Sequence, residues 1–213
     1  MLKTRIKASK ITNLTDARYF AAWETHWLSF NLDSPTEGSI SPQQLMAIKE
    51  WVEGPKIIGE FGLQSVEEIK SLVDNLSLDG IQLGMLADET YLVPLQGIPI
   101  IKEIVIEKGS DFVDDIEFNI NAYSTYVTHF LIDFSKNGLQ YNTFGEKQRE
   151  FLKEICGAHS VILDLPLQQN MLDEVLDFLN PYGLNVQGSE EEKVGLKSFD
   201  ELDDIFEALE TFE

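Results

Sequence analysis

The chain is short of cysteine, histidine and positive charge. Its 213 residues include one Cys and three His. The lone thiol, Cys156, has no internal disulfide partner, which fits a reducing cytoplasm. His26, His129 and His159 are scattered, and none forms a metal-ligand spacing, so neither a metal centre nor a cofactor is expected. No apolar run reaches the roughly 18 residues that a membrane-spanning helix needs. The opening Met1-Leu2-Lys3-Thr4-Arg5 leads into no apolar stretch, so a secretory signal is not expected either. Cations are outnumbered: 16 Lys and Arg stand against 37 Asp and Glu, for a net charge of −21. Such a field repels nucleic acid and anionic membranes. Solubility accounts for the charge itself. An anionic substrate would require a locally positive pocket.

What is present is alternation. Short apolar runs at residues 5–9, 27–32, 56–61, 80–83, 98–106, 127–133, 160–164 and 183–186 read as strands covered on both faces. Helical patterns separate them. Asn13 offers a cap before Leu14. Ser41-Pro42 starts a helix that carries Leu45, Ile48 and Val52. Ser65 and Glu68 form a capping box ahead of Ile69, Leu72 and Val73, and Ser198 with Glu201 form another ahead of Leu202, Ile205, Phe206 and Leu209. Residues 145–155 and 167–179 carry apolar residues at helical spacing, and 88–95 and 111–122 do so more weakly. Trp23, Trp27, Phe20, Phe30 and Tyr19 are assigned to helix-to-barrel packing in the first unit. Strict strand–helix alternation over 213 residues predicts one α/β domain, a (β/α)8 TIM barrel spanning residues 1–213. A doubly wound sheet is the alternative, but no G-x-G-x-x-G follows the first strand, which removes its commonest dinucleotide-binding form.

Several segments, in order, resemble the phosphoribosylanthranilate isomerase family of tryptophan biosynthesis. "KASKITNLTDA" is similar to K-I-C-G-I-T-N-x-x-D-A, and "LSFNLDSPTEGSISPQQLMAI" to a strand followed by S-P-R-x-I-S-P-x-x-A. "IIGEFGLQSVEEI", "LDGIQLG" and "FLIDF" resemble V-G-V-F-x-N-Q-S-x-E-E-I, L-D-x-V-Q-L-H-G and L-L-L-D-S. "LNPYGLNVQGSEEEKVGLKSFDELDDIFEAL" is similar to the family's ending. The resemblance implies the barrel and an Amadori rearrangement of a phosphorylated aminoaldose. In that reaction an acid protonates the ring oxygen and a base removes the proton from the neighbouring carbon. It implies that the base is a strand-one cysteine, the acid a strand-six aspartate, and the phosphate site a set of glycine-rich turns.

The aligned residues depart from that apparatus. Ser9 stands at the cysteine, and a hydroxyl needs a neighbouring base to act. Lys10 replaces the motif's glycine. Asp133 aligns with the acid. Thr36 follows Ser34-Pro35 where the family has its carboxylate-binding arginine, and Gly84 stands where it has histidine. In place of the glycine loops come "FSKNGLQYNTFG", "LDLPLQQN" and Gln187-Gly188-Ser189-Glu190-Glu191. Bulk and Pro166 hinder backbone approach there, and Asp164 repels phosphate. The expectation is a barrel with lost or strongly altered isomerase activity that binds a small-molecule ligand or a partner protein. Asp133 and Ser9 are its candidate catalytic residues; Lys10, Glu60, Gln82 and Asp164 are its candidate ligand-binding residues. One alternative is an active isomerase with Asp133 as acid. Another is a barrel that binds a divalent metal or an amine through Glu60, Asp133 and Asp164.

Overall fold

The structure is a computed structural model that describes residues 1–109, 111–188 and 199–211. Eight parallel strands close on themselves in sequence order. They are β1 (Arg5–Ser9), β2 (Trp27–Asn31), β3 (Lys56–Phe61), β4 (Gly80–Leu83), β5 (Ile100–Val105), β6 (His129–Asp133), β7 (Val161–Asp164) and β8 (Gly183–Gln187). Closure is complete because β1 pairs with β8 from Arg5↔Gly183 to Ser9↔Gln187. The strands follow the apolar runs closely. β5 starts later than the run that predicts it, at Ile100, because Pro99 has no N–H for the ladder.

The helices between them are α1 (Leu14–Ala22), α2 (Pro42–Lys49), α3 (Val66–Leu76), α4 (Glu89–Leu92), α5 (Phe112–Tyr123), α6 (Glu146–Ala158), α7 (Gln169–Glu174) and α8 (Asp200–Leu209). Caps set their starts. Asn13 Oδ1 accepts from Asp16 N, while Ser41 and Ser65 each close a capping box, with Gln44 and Glu68 respectively. α4 has only four residues, since Pro94 cannot continue it. α7 continues as a wider π turn, Val175–Leu179. Ser198, the predicted cap of α8, lies outside the described residues.

Side chains alternate along each strand. Outward residues such as Ile6, Leu28, Ile81, Ile132, Leu163 and Leu184 are buried beneath the helices. Tyr19 and Phe20 of α1 and Trp23 just after it meet Phe199 and Phe206 at α8, and Tyr19 Oη donates to Asp203 Oδ1 at 2.6 Å. These contacts join the first and last units. Trp27 does not belong to that layer. It points inward and plugs the N-terminal end of the barrel with Ile58, Ile101, Leu131 and Ile162. His26 and His129 pack edge-on to its ring, and His129 stacks on Tyr182. Burial, with His26, Lys56 and Arg5 adding positive charge, pushes the His129 imidazole down to about 4. The strands therefore enclose an aromatic and aliphatic floor, and a polar cavity lies above it. No described helix is long and apolar enough to cross a membrane.

Candidate functional site

Above the floor the inward positions turn polar, and they surround a cavity of about 650 Å³ at the C-terminal ends of the strands. This is the end where barrel enzymes place their chemistry. All six candidates from the sequence, Ser9, Lys10, Glu60, Gln82, Asp133 and Asp164, line it. So do Lys7, Glu103, Lys136, Asn185 and Gln187, which sequence reasoning did not single out.

The cavity base is a hydrogen-bonded network. Lys7 is fully buried, and its Nζ donates to Glu60 Oε1 at 3.0 Å and to Asn185 Oδ1 at 3.3 Å. Ser29 Oγ donates to the same Glu60 oxygen at 2.6 Å. Burial acts to raise the Glu60 pKa. The Lys7 ammonium, the Ser29 hydroxyl and Lys136 outweigh it and hold the carboxyl below its usual range. On the far side, Asn185 Nδ2 donates to Asp164 Oδ2 at 2.7 Å and to Ser9 Oγ at 3.0 Å. Gln187 Nε2 donates to Asp164 Oδ2 at 3.1 Å.

Ser9 stands at the end of β1 with its own proton directed to the Val186 carbonyl, 3.4 Å away. Its other partner is an amide donor, not a base. Asp133 is buried at the end of β6, and its Oδ1 accepts from Lys136 N at 2.8 Å, which caps the following turn. Asp164 is its register neighbour on β7. Burial and the adjacent Asp133 push the Asp164 carboxyl up to about 6, against its hydrogen bonds from Ser135, Gln187 and Asn185.

Lys10 lies just past β1 in the left-handed region, at φ 56°. A β-carbon there carries roughly 1 kcal/mol of strain. Lys10→Gly is therefore expected to stabilise the fold by up to about 0.5 kcal/mol once the added chain entropy is set against that strain. A rise in the denaturation midpoint at unchanged slope would show it.

Glu103 leans from β5 toward the end of the neighbouring strand β4. A β-carbon at Gly84 would lie 3.7 Å from Glu103 Oε2. Burial, Glu60 and Asp133 raise the Glu103 pKa, and Lys136 and Lys7 oppose them. The neighbouring Lys102 faces the other way. It is wholly buried, donates to the Gly84 and Met85 carbonyls at 2.6 and 3.2 Å, and so fixes the β4–α4 turn. Burial brings its pKa down to about 8.

Two expectations need correction or restriction. Glu60, Asp133 and Asp164 share the cavity but do not converge: among the described residues no group of three His, Cys, Asp or Glu side chains is placed to hold a metal ion. Glu60 is instead committed to Lys7 and Ser29. Ser189, Glu190 and Glu191, which replace part of the last glycine motif, lie outside the described residues. Next to the main cavity a smaller one of about 280 Å³ sits over β7 and β8, walled by Leu165, Pro166, Leu167, Leu202 and Ile205, with Asp164 at its edge.

The sequence model of N-(5'-phosphoribosyl)anthranilate isomerases matches residues 6–208. The chain belongs to that family. The N-(5'-phosphoribosyl)anthranilate isomerase of Chlorobium luteolum is 26% identical over 97% of both chains. The one of Prosthecochloris aestuarii is 27% identical over 93% of this chain and 91% of its own. Among solved structures, the phosphoribosyl anthranilate isomerase of Thermus thermophilus superposes with a TM-score of 0.74 at 25% identity, covering 97% of this chain and 98% of that one. The Thermotoga maritima enzyme gives a TM-score of 0.75 at 20% identity with the same coverage. The barrel is thus the family's.

Proposed function

We propose that this family member binds a small molecule at the barrel mouth without carrying out the family's isomerisation. The observation that supports this most directly is the setting of Ser9. By the sequence resemblance its hydroxyl stands where the family has a basic thiol; it gives its proton to a backbone carbonyl, and no base among the described residues hydrogen-bonds to it. Proton abstraction from carbon requires a group poised to accept, and Ser9 is not one.

The anion-binding parts support the same reading. Over β7 and β8 the wall consists of Leu165, Pro166 and Leu167. These residues put bulk where backbone N–H groups would have to approach a phosphate, and Pro166 supplies no N–H at all. Asp164 adds a carboxyl at the same edge. The first turn of α8 is itself acidic, with Asp200, Glu201 and Asp203, so its dipole is already complemented by side chains.

A second reading is active isomerisation with Asp133 as the acid. Its support is the position of that carboxylate, buried at the end of β6 and lining the cavity. The two readings separate in an assay that follows loss of phosphoribosylanthranilate. The purified protein is expected to give no rate above the uncatalysed reaction. Ser9→Cys is expected to remain inactive as well, because the thiol alone restores none of the phosphate contacts. Turnover by the unaltered chain would overturn the binding reading, and complementation of a tryptophan auxotroph lacking the isomerase would do the same in cells.

A further inference from the structure

The mouth cavity holds more acceptors than donors, and one of its buried acceptors is unused. Gln82 is 6% exposed and lines the cavity from β4, beside Glu60 on β3. No donor among the described residues reaches its Oε1. A buried carbonyl without a donor carries its full desolvation cost, and since the Gln82 side chain lines the cavity, a ligand that donates to this oxygen once the amide turns toward the mouth would remove that cost. Glu103, on the next strand, also lines the cavity, and no described residue donates a hydrogen bond to it. The wall formed by β3, β4 and β5 therefore presents the Lys7-paired Glu60, the donorless Gln82 level with it and, two residues further along β5 than the Gln82 level, Glu103.

The charge of the whole mouth agrees. Glu37, Glu60, Glu103, Asp133 and Asp164 line it against Lys7, Lys10 and Lys136. Lys7 is already paired with Glu60. The surplus is negative, and the chain as a whole, at −21, reinforces it. A metal ion is a poor match, since no three ligating side chains among the described residues close on one point. An ammonium with its three donors matches better. Of the remaining rim, Asn31 and Asn185 are engaged within the fold, while Gln187 and Lys136 add further polar groups at the cavity, which suits hydroxyl groups. At about 650 Å³ the cavity has the volume of an ordinary small-molecule site.

We propose that the barrel mouth binds a protonated amine carried on a polyhydroxylated small molecule, with Glu103 pairing the ammonium and Gln82 Oε1 accepting a hydrogen bond beside it. The proposal rests on the binding reading above and names the ligand class for that site. Glu103 is faced by Lys136 and Lys7 as well as by Glu60 and Asp133; an ammonium adds a further cation against the two carboxylates, and affinity falls as acid neutralises Glu103.

Calorimetric titration with 1-amino-1-deoxysorbitol, sorbitol and ribose 5-phosphate tests it, since the first two differ only by an ammonium in place of a hydroxyl. The amine is expected to bind at least about tenfold more tightly than sorbitol, a difference of roughly 1.4 kcal/mol. Glu103→Gln is expected to abolish the preference, and Gln82→Met to weaken the amine severalfold. If Glu103→Gln fails to fold, loss of the preference with added salt serves in its place. Equal binding of sorbitol and the amine, tighter binding of ribose 5-phosphate, or no binding of any of the three overturns the proposal. None of these outcomes touches the isomerase assay, which alone decides whether the site is catalytic.

Discussion

Lys7→Met is expected to lower stability by about 3 kcal/mol, near the lower end of what breaking a buried ion pair costs. Lys7 is fully buried, and its only described partners are Glu60 and Asn185. Without the ammonium, Glu60 keeps a single donor, Ser29, and Asn185 Oδ1 loses its donor. The Glu60 side chain is 21% exposed, so water recovers part of the loss, which keeps the figure from rising higher. For a domain of this size the change corresponds to a melting temperature lower by roughly 6–12 °C. The double variant Lys7→Met/Glu60→Leu should recover most of the loss, because an apolar pair leaves no orphan charge. Acid should also narrow the gap. The Glu60 pKa is held below its ordinary 4.5 in the folded protein. Its stabilising pairing is therefore present at neutral pH and fades as pH falls through the folded-state value. In the Lys7→Met protein the stranded carboxylate is protonated over that range, so its penalty fades too. Denaturation midpoints of the three proteins at neutral and acid pH decide the matter. A double variant as weak as the single one would mean that Lys7 acts by filling space and not by charge.

Most of the barrel is legible in the sequence because parallel strands covered on both faces must be apolar in nearly every position. That is why runs such as "KIIGEF" mark strands almost to the residue. The same fact hides which face each residue takes. Trp27 begins a run of apolar residues, and nothing in the run shows that its ring turns into the barrel while Leu28 and Phe30 turn out. In "IIKEIV" Lys102 and Glu103 are adjacent, and only closure of the sheet tells that the first is buried under the helices and the second opens on the mouth. A weaker signal was available. Each strand interrupts its apolar run with polar residues toward its C-terminal end: Lys7 and Ser9, Ser29 and Asn31, Glu60, Gln82, Glu103, Asp133, Asp164, Asn185 and Gln187. In a barrel a period-two interruption at that end has one meaning, a polar mouth above an apolar floor. The chemistry of the pairings is another matter. That Glu60 is satisfied by Lys7 across 53 residues of chain, while Gln82 beside it goes without a donor, depends on strand order, stagger and side-chain length together. No local pattern encodes it.

Asp164→Asn is expected to stabilise the protein by about 2 kcal/mol at neutral pH and to change little in acid. The sign follows from the direction of its shift. Burial and Asp133 raise the folded-state pKa from 3.8 to about 6. A raised carboxyl binds its proton more tightly in the folded state, so its contribution is most favourable in acid and is lost as pH climbs through about 6. Two units or so of shift amount to roughly 3 kcal/mol against the ionised form. Asparagine removes that penalty, keeps an oxygen for the Asn185 and Gln187 donors, and can turn its own N–H toward Asp133, so most of the figure survives. His129 pulls the other way. Its pKa falls from 6.5 to about 4, so the unfolded chain binds the proton and stability rises with pH across that window, by about 1–2 kcal/mol once screening of a half-buried ring is allowed for. His26 and Glu60, both lowered, act with His129; Glu103, raised, acts with Asp164. In the unaltered chain these opposed titrations partly cancel between about pH 4 and 6. Asp164→Asn should unmask a steep rise with pH, and His129→Phe a fall. If Asp164→Asn matches the parent protein near neutrality, Asp164 bears no burial penalty. Water would then have to reach it freely, and the mouth would be far more open than its hydrogen-bonded network implies.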